Sequence, residues 1–208
     1  MKNDGLLIVL SGFSGTGKGT IVKEVLRRYP DRYALSVSAT TRSPRPGEAD
    51  GREYFFCTDE RFQEMIMNGD LLEYAGYIGH YYGTPRAYAQ QQLAAGKNVI
   101  LEIERRGAMQ VRGMMPQAVL IFVLPPSVEE LERRLRGRGT ETDEVIAKRL
   151  AKAAEEISFA ESFDYIIVND DLDRAVSDFD SIIASAACKT AANGDVIARI
   201  ASELEAYK

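Results

Sequence analysis

The sequence predicts an α/β fold with a three-layer core built on a parallel sheet, an inserted subdomain and a helical lid. Three observations lead to this prediction. Short apolar runs alternate with helical patterns, a glycine-rich segment follows the first run, and two stretches of different character interrupt the alternation. Alternating strands and helices are typical of α/β proteins, in which crossover helices cover a parallel sheet.

Four apolar runs predict the buried strands, at residues 6–10, 99–103, 119–124 and 165–168. The runs are continuous rather than alternating, as expected for strands that are covered on both faces. Residues 21–28 carry apolar side chains at helical spacing. The chain therefore begins with a strand, a glycine-rich loop and a helix.

Two segments interrupt this order. Residues 37–88 are rich in Ser, Thr, Pro, Gly and Tyr, with one predicted helix at residues 59–68, and they form the predicted inserted subdomain. Residues 127–158 begin with a capping box at Ser127 and Glu130 and contain two predicted helices, which form the predicted lid. The remaining segments form the core, and they are residues 1–36, 89–126 and 159–208.

Composition and charge exclude several classes of protein. The 208 residues are 45% hydrophobic and 27% charged, and the net charge of -5 provides no basic surface for nucleic acid or an anionic membrane. Cys57 and Cys188 are too few for a disulfide framework, and the first apolar run is too short for a signal or membrane segment. We expect a soluble, cytoplasmic protein that binds neither nucleic acid nor membranes.

The glycine-rich segment, Gly12 to Thr20, lies between the first predicted strand and the first predicted helix, which is the setting of a phosphate-binding loop. Its glycines let the backbone curl with the N–H groups inward, and the helix N-terminus adds partial positive charge. Lys18 then reaches the β- and γ-phosphates of a nucleotide. The predicted nucleotide-binding residues are Gly12, Ser14, Gly15, Thr16, Gly17, Lys18, Gly19 and Thr20.

The residue after the lysine departs from the strict motif, which has a serine or threonine there to hold Mg²⁺. This chain has Gly19 and only then Thr20. We therefore expect Mg²⁺ to be held mainly by nucleotide oxygens and water, with help from Thr20 or Glu102.

Arg42 and Arg45 lie three residues apart in a loop rich in proline and hydroxyl residues. Two guanidinium groups can clamp one phosphate, and the prolines reduce the entropy lost on binding. Tyr54 and Tyr82 can each donate a phenolic hydrogen bond to the same phosphate. By spacing alone, a solvated basic loop explains the pattern equally well.

Longer stretches of the sequence resemble the guanylate kinase family, in the order in which that family carries them. They read SVSATTRSPRPGEADGREYFF, LLEYAGYIGHYYGTP, PPSVEELERRLRGRGTET and FDYIIVNDDLDRA, and the resemblance covers most of residues 5–176. It implies a P-loop kinase that transfers the γ-phosphoryl group of ATP to GMP, with Mg²⁺ bound to the ATP.

The family's motifs match this sequence residue by residue. Lys18 falls on the lysine that contacts the ATP phosphates, and Arg134 and Asn169 are implied as further ATP-binding residues. The implied GMP-binding residues are Ser38, Arg42, Arg45, Tyr54, Glu73, Tyr82, Thr84, Glu102 and Glu104.

The chemistry of guanine independently supports Glu73 as the residue that reads the base. Guanine presents N1–H and N2–H₂ donors side by side, and one carboxylate accepts from both, whereas adenine lacks this donor pair. Hydroxyls at Ser38 and Thr84 can serve O6 or N2. Without the surrounding motif, Glu73 is an ordinary surface acid.

Glu102 and Glu104 lie at the end of a predicted strand. Strand alternation predicts both carboxylates on one face, at the carboxyl end of a parallel strand, where α/β sheets bind ligands. The family usually has Asp at the second position, and the Arg105-Arg106 pair that follows is also unusual. A pair of surface acids is the alternative interpretation.

Arg134, Arg138 and Arg149 match the arginines that close over the phosphates in the family. Arginine beside a transferring phosphoryl group neutralises its developing charge and can contribute ~10³–10⁵ in rate. The implied catalytic residues are Lys18, Arg42, Arg138 and Arg149. Positioning and electrostatics then carry the reaction, and no general base is required.

Three other functions remain open at this point. The GKGT ending of the loop also occurs in adenylate kinases, so a kinase for another nucleoside monophosphate is one alternative, although Ser38 and Glu73 argue against it. A guanylate-kinase-like module that binds proteins without catalysis is another, although Lys18 is present. A regulatory GTPase is a third, but residues 168–171 do not match its base-reading motif.

Overall fold

The computed structural model describes residues 4–77, 79–137 and 142–208. The strands are β1 (Leu7–Gly12), β2 (Tyr33–Leu35), β3 (Ser38–Thr40), β4 (Tyr54–Phe56), β5 (Leu71–Tyr77), β6 (His80–Pro85), β7 (Asn98–Glu102), β8 (Val119–Leu124) and β9 (Tyr165–Val168). The helices are α1 (Lys18–Arg28), α2 (Asp59–Met67), α3 (Arg86–Ala94), α4 (Arg105–Met114), α5 (Val128–Arg136), α6 (Asp143–Glu156), α7 (Leu172–Ala187) and α8 (Gly194–Leu204).

The core is a five-stranded sheet in the order β2-β7-β1-β8-β9, and every neighbouring pair in it is parallel. The four strands predicted from apolar runs are confirmed as β1, β7, β8 and β9. The short edge strand β2 was missed, because three residues carry too little pattern. Ile8 and Leu10 of β1 face one hydrophobic cluster, with α1 and α7, while Leu7 and Val9 face another, with α4. Helices therefore cover both faces of the sheet, which confirms the three-layer α/β fold.

Residues 38–85 contain a second sheet of four strands, in the order β4-β3-β6-β5. Strands β5 and β6 form an antiparallel hairpin, and Phe62 of α2 is fully buried against this sheet. Sequence analysis predicted α2 but not these strands. Two of them have only three residues, and the hairpin strands are rich in Gly and Tyr rather than in continuous apolar residues.

Helices α5 and α6 follow β8 and contact each other. The Ser127 hydroxyl caps α5 by accepting a hydrogen bond from the Glu130 N–H at 3.2 Å. The Glu130 carboxylate pairs instead with Arg133 and Arg134. Of the predicted capping box, the structure therefore shows the half in which the serine accepts the bond. Arg138 lies outside the described residues.

The chain continues into α7 and α8 after β9. Helix α7 packs on α1 and buries Phe179 beside Tyr33. No helix in the part of the chain that the structure describes combines the length and the apolar character needed to cross a membrane.

Candidate functional site

The glycine-rich loop joins β1 to α1 and turns where side chains cannot fit. Gly12 has φ +144°, and a Cβ there would lie 2.4 Å from the Val123 carbonyl oxygen of β8. Gly17 has φ +89°, and a Cβ there would lie 2.4 Å from Asn169 Nδ2. Both contacts are much closer than van der Waals distance, so these two glycines are required by the fold of the loop.

Hydrogen bonds from Lys18 within the loop and from Asn169 outside it hold the loop in shape. Lys18 Nζ lies over the loop and donates to the carbonyls of Gly12 at 2.7 Å and Phe13 at 2.9 Å. Asn169, immediately after β9, donates from Nδ2 to the buried Thr16 carbonyl at 2.7 Å. Arg134 of α5 donates to the Asn169 carbonyl at 2.8 Å. Arg134 and Asn169 therefore support the loop on the side away from Lys18.

A cavity of about 410 Å³ lies at the start of α1. Six of the predicted loop residues line it together with two charged neighbours, Lys23 and Glu102. The six are Ser14, Gly15, Gly17, Lys18, Gly19 and Thr20. The loop thus presents an open, positively charged space at a helix N-terminus, which suits a polyphosphate.

Helix α6 reaches the loop from the other side of the cleft. Arg149 Nη1 donates to the Ser14 hydroxyl at 2.5 Å. One turn later, Lys152 lies 3.4 Å from the Glu104 carboxylate and 3.6 Å from that of Glu156. The predicted lid arginine therefore lies beside the phosphate-binding loop.

Glu102 and Glu104 are placed by two different elements, which corrects the prediction from strand alternation. Strand β7 ends at Glu102, and Glu104 is the N-cap residue of α4, so alternation does not extend to it. Both side chains nevertheless line one cavity of about 760 Å³, together with Lys18 and Arg149.

The Glu102 carboxylate faces the start of α1. Its Oε1 lies 3.6 Å from the position that a Cβ of Gly19 would occupy. Partial burial raises the pKa of Glu102, while the positive charges of Lys18 and Lys23 oppose this shift. Glu102 therefore lies in ordinary contact distance of position 19, next to Lys18.

Arg42 is held in place by Glu48, a residue that sequence analysis did not single out. Arg42 Nη2 lies 3.0 Å from both Glu48 oxygens, and Glu48 also accepts from the Arg45 N–H at 2.8 Å. Burial alone would lower the pKa of Arg42, but hydrogen bonds to Glu48 and Tyr82 raise it. Arg42 is therefore a fixed, fully charged group.

Aromatic rings lie close to this guanidinium. The Arg42 Cζ lies 5.4 Å from the ring centre of Tyr54 and 5.9 Å from that of Phe56, and Tyr54 packs edge-on against Tyr82 at 6.0 Å. Arg45 is exposed on the same loop. The structure thus brings Arg42, Tyr54 and Tyr82 together.

Glu73 lies on β5, opposite Thr84 of β6. It is 5% exposed, and Thr84 Oγ1 donates to its Oε1 at 2.7 Å. Burial raises the pKa of Glu73, and the hydrogen bonds from Thr84 counteract this effect only in part. A buried carboxylate with one hydrogen-bond partner is suited to a ligand that brings further donors.

A cavity of about 330 Å³ opens in front of Glu73. Its walls include Ser38, Tyr54, Tyr82 and Gly107. This cavity and the 760 Å³ cavity share four lining residues, namely Tyr54, Glu102, Ile103 and Glu104. The two spaces therefore adjoin, with the phosphate-binding loop in one and Glu73 in the other.

The donor set fits a magnesium ion that is held largely by a nucleotide. Among the described residues, no group of three or more His, Cys, Asp or Glu side chains could enclose a metal ion. Glu102 and Thr20 supply oxygen atoms at the edge of the loop cavity. Mg²⁺ commonly binds through one or two protein oxygens plus phosphates and water, so the residues present suit it.

Four residues that contact this site were not predicted from the sequence. They are Lys23, Glu48, Gly107 and Lys152. Glu48 follows Arg42 by six residues across a Pro-Gly turn, a spacing that could have suggested an internal partner. Gly107 and Lys152 gave no local signal, because they meet Glu73 and Glu104 only through tertiary packing.

Comparison with known proteins shows the family to which the chain belongs. The family model described as Guanylate kinase matches residues 5–186. A guanylate kinase of Desulfitobacterium hafniense is 52% identical over 188 residues, which are 90% of this chain and 94% of that protein. A guanylate kinase of Synechocystis is 57% identical over 172 residues, 83% of this chain and 90% of that protein.

A solved structure is also similar. The crystal structure of guanylate kinase from Anaplasma phagocytophilum superposes with a TM-score of 0.69 at 35% identity, covering 91% of this chain and 89% of that one. A family match over most of the chain, relatives at about half identity and a shared fold all agree. The chain therefore belongs to the guanylate kinase family of enzymes.

Proposed function

We propose that the enzyme transfers the γ-phosphoryl group of ATP to GMP, giving ADP and GDP. The observation that carries this proposal is the pair of adjoining cavities, one on the glycine-rich loop and the other in front of buried Glu73. A donor nucleotide and a guanine nucleotide bound there would direct their phosphates toward each other.

ATP is proposed to bind at the loop, residues 12–20. The inward N–H groups and the α1 N-terminus stabilise its phosphates, and Lys18 neutralises charge on the β- and γ-phosphates. Lys18 already points its ammonium over the loop, so little reorganisation is needed. Arg134 and Asn169 serve ATP by holding the loop's backbone in shape.

GMP is proposed to bind with its base against Glu73 and its phosphate at Arg42. The Glu73 carboxylate accepts from guanine N1–H and N2–H₂. Ser38, which lines the same cavity, and Thr84, which donates to Glu73, are proposed to complete the base site. Arg45, Tyr54 and Tyr82 assist Arg42 at the phosphate. Glu102 and Glu104 line both cavities. We therefore propose that they contact GMP between its base and its phosphate.

Catalysis is proposed to depend on positioning and charge. The GMP phosphate is itself the nucleophile, so no general base is needed once donor and acceptor are in line. Arg149, beside Ser14, stabilises the equatorial oxygens of the transferring group and helps exclude water. Arg138 is proposed for the same role from the matching motif.

Mg²⁺ is the proposed cofactor, with Thr20 and Glu102 as its protein contacts, directly or through water. When bound, it would supply positive charge that offsets the charge of the ATP phosphates. Glu102 is placed to orient such a hydrated ion because it faces Gly19 across the loop.

We propose that the chain is divided into three functional parts. Residues 37–88 form the GMP-binding subdomain and residues 127–158 the lid, while residues 1–36, 89–126 and 159–208 form the core. We place the enzyme in the cytoplasm, which the two free cysteines support, since thiols persist in a reducing compartment.

A coupled assay of ADP formation tests the reaction. We expect turnover with GMP and dGMP and at most weak turnover with AMP, UMP and TMP, because only guanine supplies the paired donors to Glu73. Lys18→Ala should lower kcat by about 10²–10³-fold or more, because it removes charge stabilisation from the transferring group. Equal turnover of AMP and GMP, or none with any monophosphate, would contradict the proposal.

A further inference from the structure

The Glu73 carboxylate is pressed against the first turn of α4. A Cβ at Gly107, the third residue of that helix, would lie 2.5 Å from Glu73 Oε2 and 3.1 Å from its Cδ. These distances are inside van der Waals contact. Any side chain at position 107 would therefore collide with the carboxylate where it now lies.

Strand β5 is tied to α4 on both sides of Glu73, so it cannot move away to relieve such a collision. Gln110, one turn after Gly107, accepts from the Tyr74 N–H at 3.1 Å and donates to the Tyr74 carbonyl at 2.9 Å. On the other side, Leu72 is 2% exposed and packs in the same cluster as Ala108. The helix and the strand are therefore held at a fixed separation.

The carboxylate itself is held between two neighbours. Thr84 donates to Oε1, and Oε2 faces the backbone of Gly107. Glu73 and Gly107 line the same cavity of about 330 Å³. Two contacts thus set the depth of the carboxylate in this cavity. Thr84 holds Oε1, and Gly107, which has no side chain, allows Oε2 to lie close to the α4 backbone.

We propose that Gly107 is a positioning residue that sets the specificity for guanine. By lacking a side chain, it lets the Glu73 carboxylate lie at the depth at which it accepts from both N1–H and N2–H₂. The partial positive charge at the start of α4 also favours the ionised carboxylate at this depth. This inference rests on the proposed function, because it assigns a supporting residue to the proposed guanine site.

Gly107→Ala is the direct test, because the added methyl group must displace Oε2 by about 1 Å to reach ordinary contact distance. Gly113→Ala is a matched control on the same helix, with nothing within 4 Å of the added Cβ. Both substitutions improve helix propensity, so a difference between them reports the contact with Glu73.

The readouts are kcat/KM for GMP and for IMP, which lacks the 2-amino group, together with the KM for ATP and the thermal midpoint. For Gly107→Ala we expect kcat/KM with GMP to fall about 10- to 100-fold, because a displacement of about 1 Å disrupts the alignment. The preference for GMP over IMP should shrink, and the KM for ATP should change less than about twofold. Gly113→Ala should behave as the wild type.

Three results would overturn the inference. They are equal GMP kinetics in the two variants, an equal fall with GMP and IMP, and a Gly107→Ala chain that does not fold. The last result would show that Gly107 is needed for the packing of α4 on β5, and not for the position of the carboxylate. If the wild type itself fails to phosphorylate GMP, the proposed function is wrong. If the wild type is active and Gly107→Ala is unchanged, only this inference is wrong.

Discussion

At the scale of single residues, the site depends on charged groups held by exact partners. Glu48 orients Arg42, and Thr84 holds Glu73. Glu73 is the more demanding case, because burying a carboxylate costs free energy that its one side-chain partner does not fully recover. The buried Glu73 carboxylate is thus maintained at some expense of stability.

This burial predicts a pH dependence for GMP binding. Because the pKa of Glu73 is raised, its carboxylate takes up a proton at a higher pH than an ordinary glutamate does, and the protonated form no longer accepts from both guanine donors. We expect the KM for GMP to rise as the pH falls through this raised pKa. Steady-state kinetics across pH, with Glu73→Gln as a control that lacks the titration, would measure it. A similar pH dependence in both proteins would contradict the assignment.

The same burial predicts the effect of Glu73→Gln on stability. A raised pKa in the folded state means that ionised Glu73 opposes folding at neutral pH, and that the penalty disappears as the pH falls. We expect Glu73→Gln to lower kcat/KM for GMP at least about 100-fold while leaving the thermal midpoint unchanged or higher. Thermal unfolding at neutral pH would test this. A lower midpoint would show that the carboxylate is net stabilising.

At the scale of secondary-structure elements, the phosphate-binding loop depends on elements that are distant in sequence. Asn169 follows β9 and Arg134 lies on α5, yet both bond to the loop region around Thr16. Thr16 is fully buried, so its carbonyl needs hydrogen-bond donors from the protein, which Asn169 and Arg134 supply. The loop is therefore shaped by the end of the neighbouring strand as well as by its own glycines.

We expect Asn169→Ala to destabilise the protein by about 1–3 kcal/mol, because it removes the shorter of the two hydrogen bonds to the buried Thr16 carbonyl and leaves only the 3.4 Å bond from Arg134. The KM for ATP should rise more than the KM for GMP, since the loop serves ATP. Asp170→Ala is a suitable control, because Asp170 is exposed and accepts only from the neighbouring Asp171 N–H among the bonds described. Urea unfolding and steady-state kinetics would measure both effects. Equal changes in the two KM values would contradict a role confined to the loop.

At the scale of the whole molecule, the residues of the site lie together at the carboxyl ends of the parallel strands. The carboxyl ends of β1, β7 and β9 carry Gly12, Glu102 and Asn169, which lie far apart in sequence. Ligands of open α/β sheets bind at this edge. The second sheet supplies Glu73 and its cavity, and α6 places Arg149 beside the loop. Function and stability are thus concentrated in different parts of the molecule.

This separation predicts a core substitution that affects stability alone. Phe179 of α7 is fully buried against Tyr33 on the face covered by α1. We expect Phe179→Ala to cost about 3–5 kcal/mol of unfolding free energy, with both KM values unchanged where the protein is folded. Ile166→Ala is the control, because Ile166 is 45% exposed, and it should change stability by less than about 0.5 kcal/mol. Urea unfolding would separate the two, and equal losses would contradict this account of the core.

The sequence by itself determined the α/β class, the four main strands, the glycine-rich loop with Lys18 and the family. These features are local, because apolar runs, glycine spacing and contiguous motifs can be recognised without knowing what lies next to them. The family's motifs likewise indicated Arg42, Glu73 and Arg149 as candidates for the site.

Only the tertiary structure decided how those candidates are supported. It placed Glu104 at a helix N-cap instead of on a strand, and it brought Lys152 to it across the cleft. It also placed Gly107 against the carboxylate of Glu73, although the two residues are 34 positions apart in the chain. The physical reason is that strand pairing and helix packing decide which distant side chains meet, and no local pattern in the sequence encodes those distances.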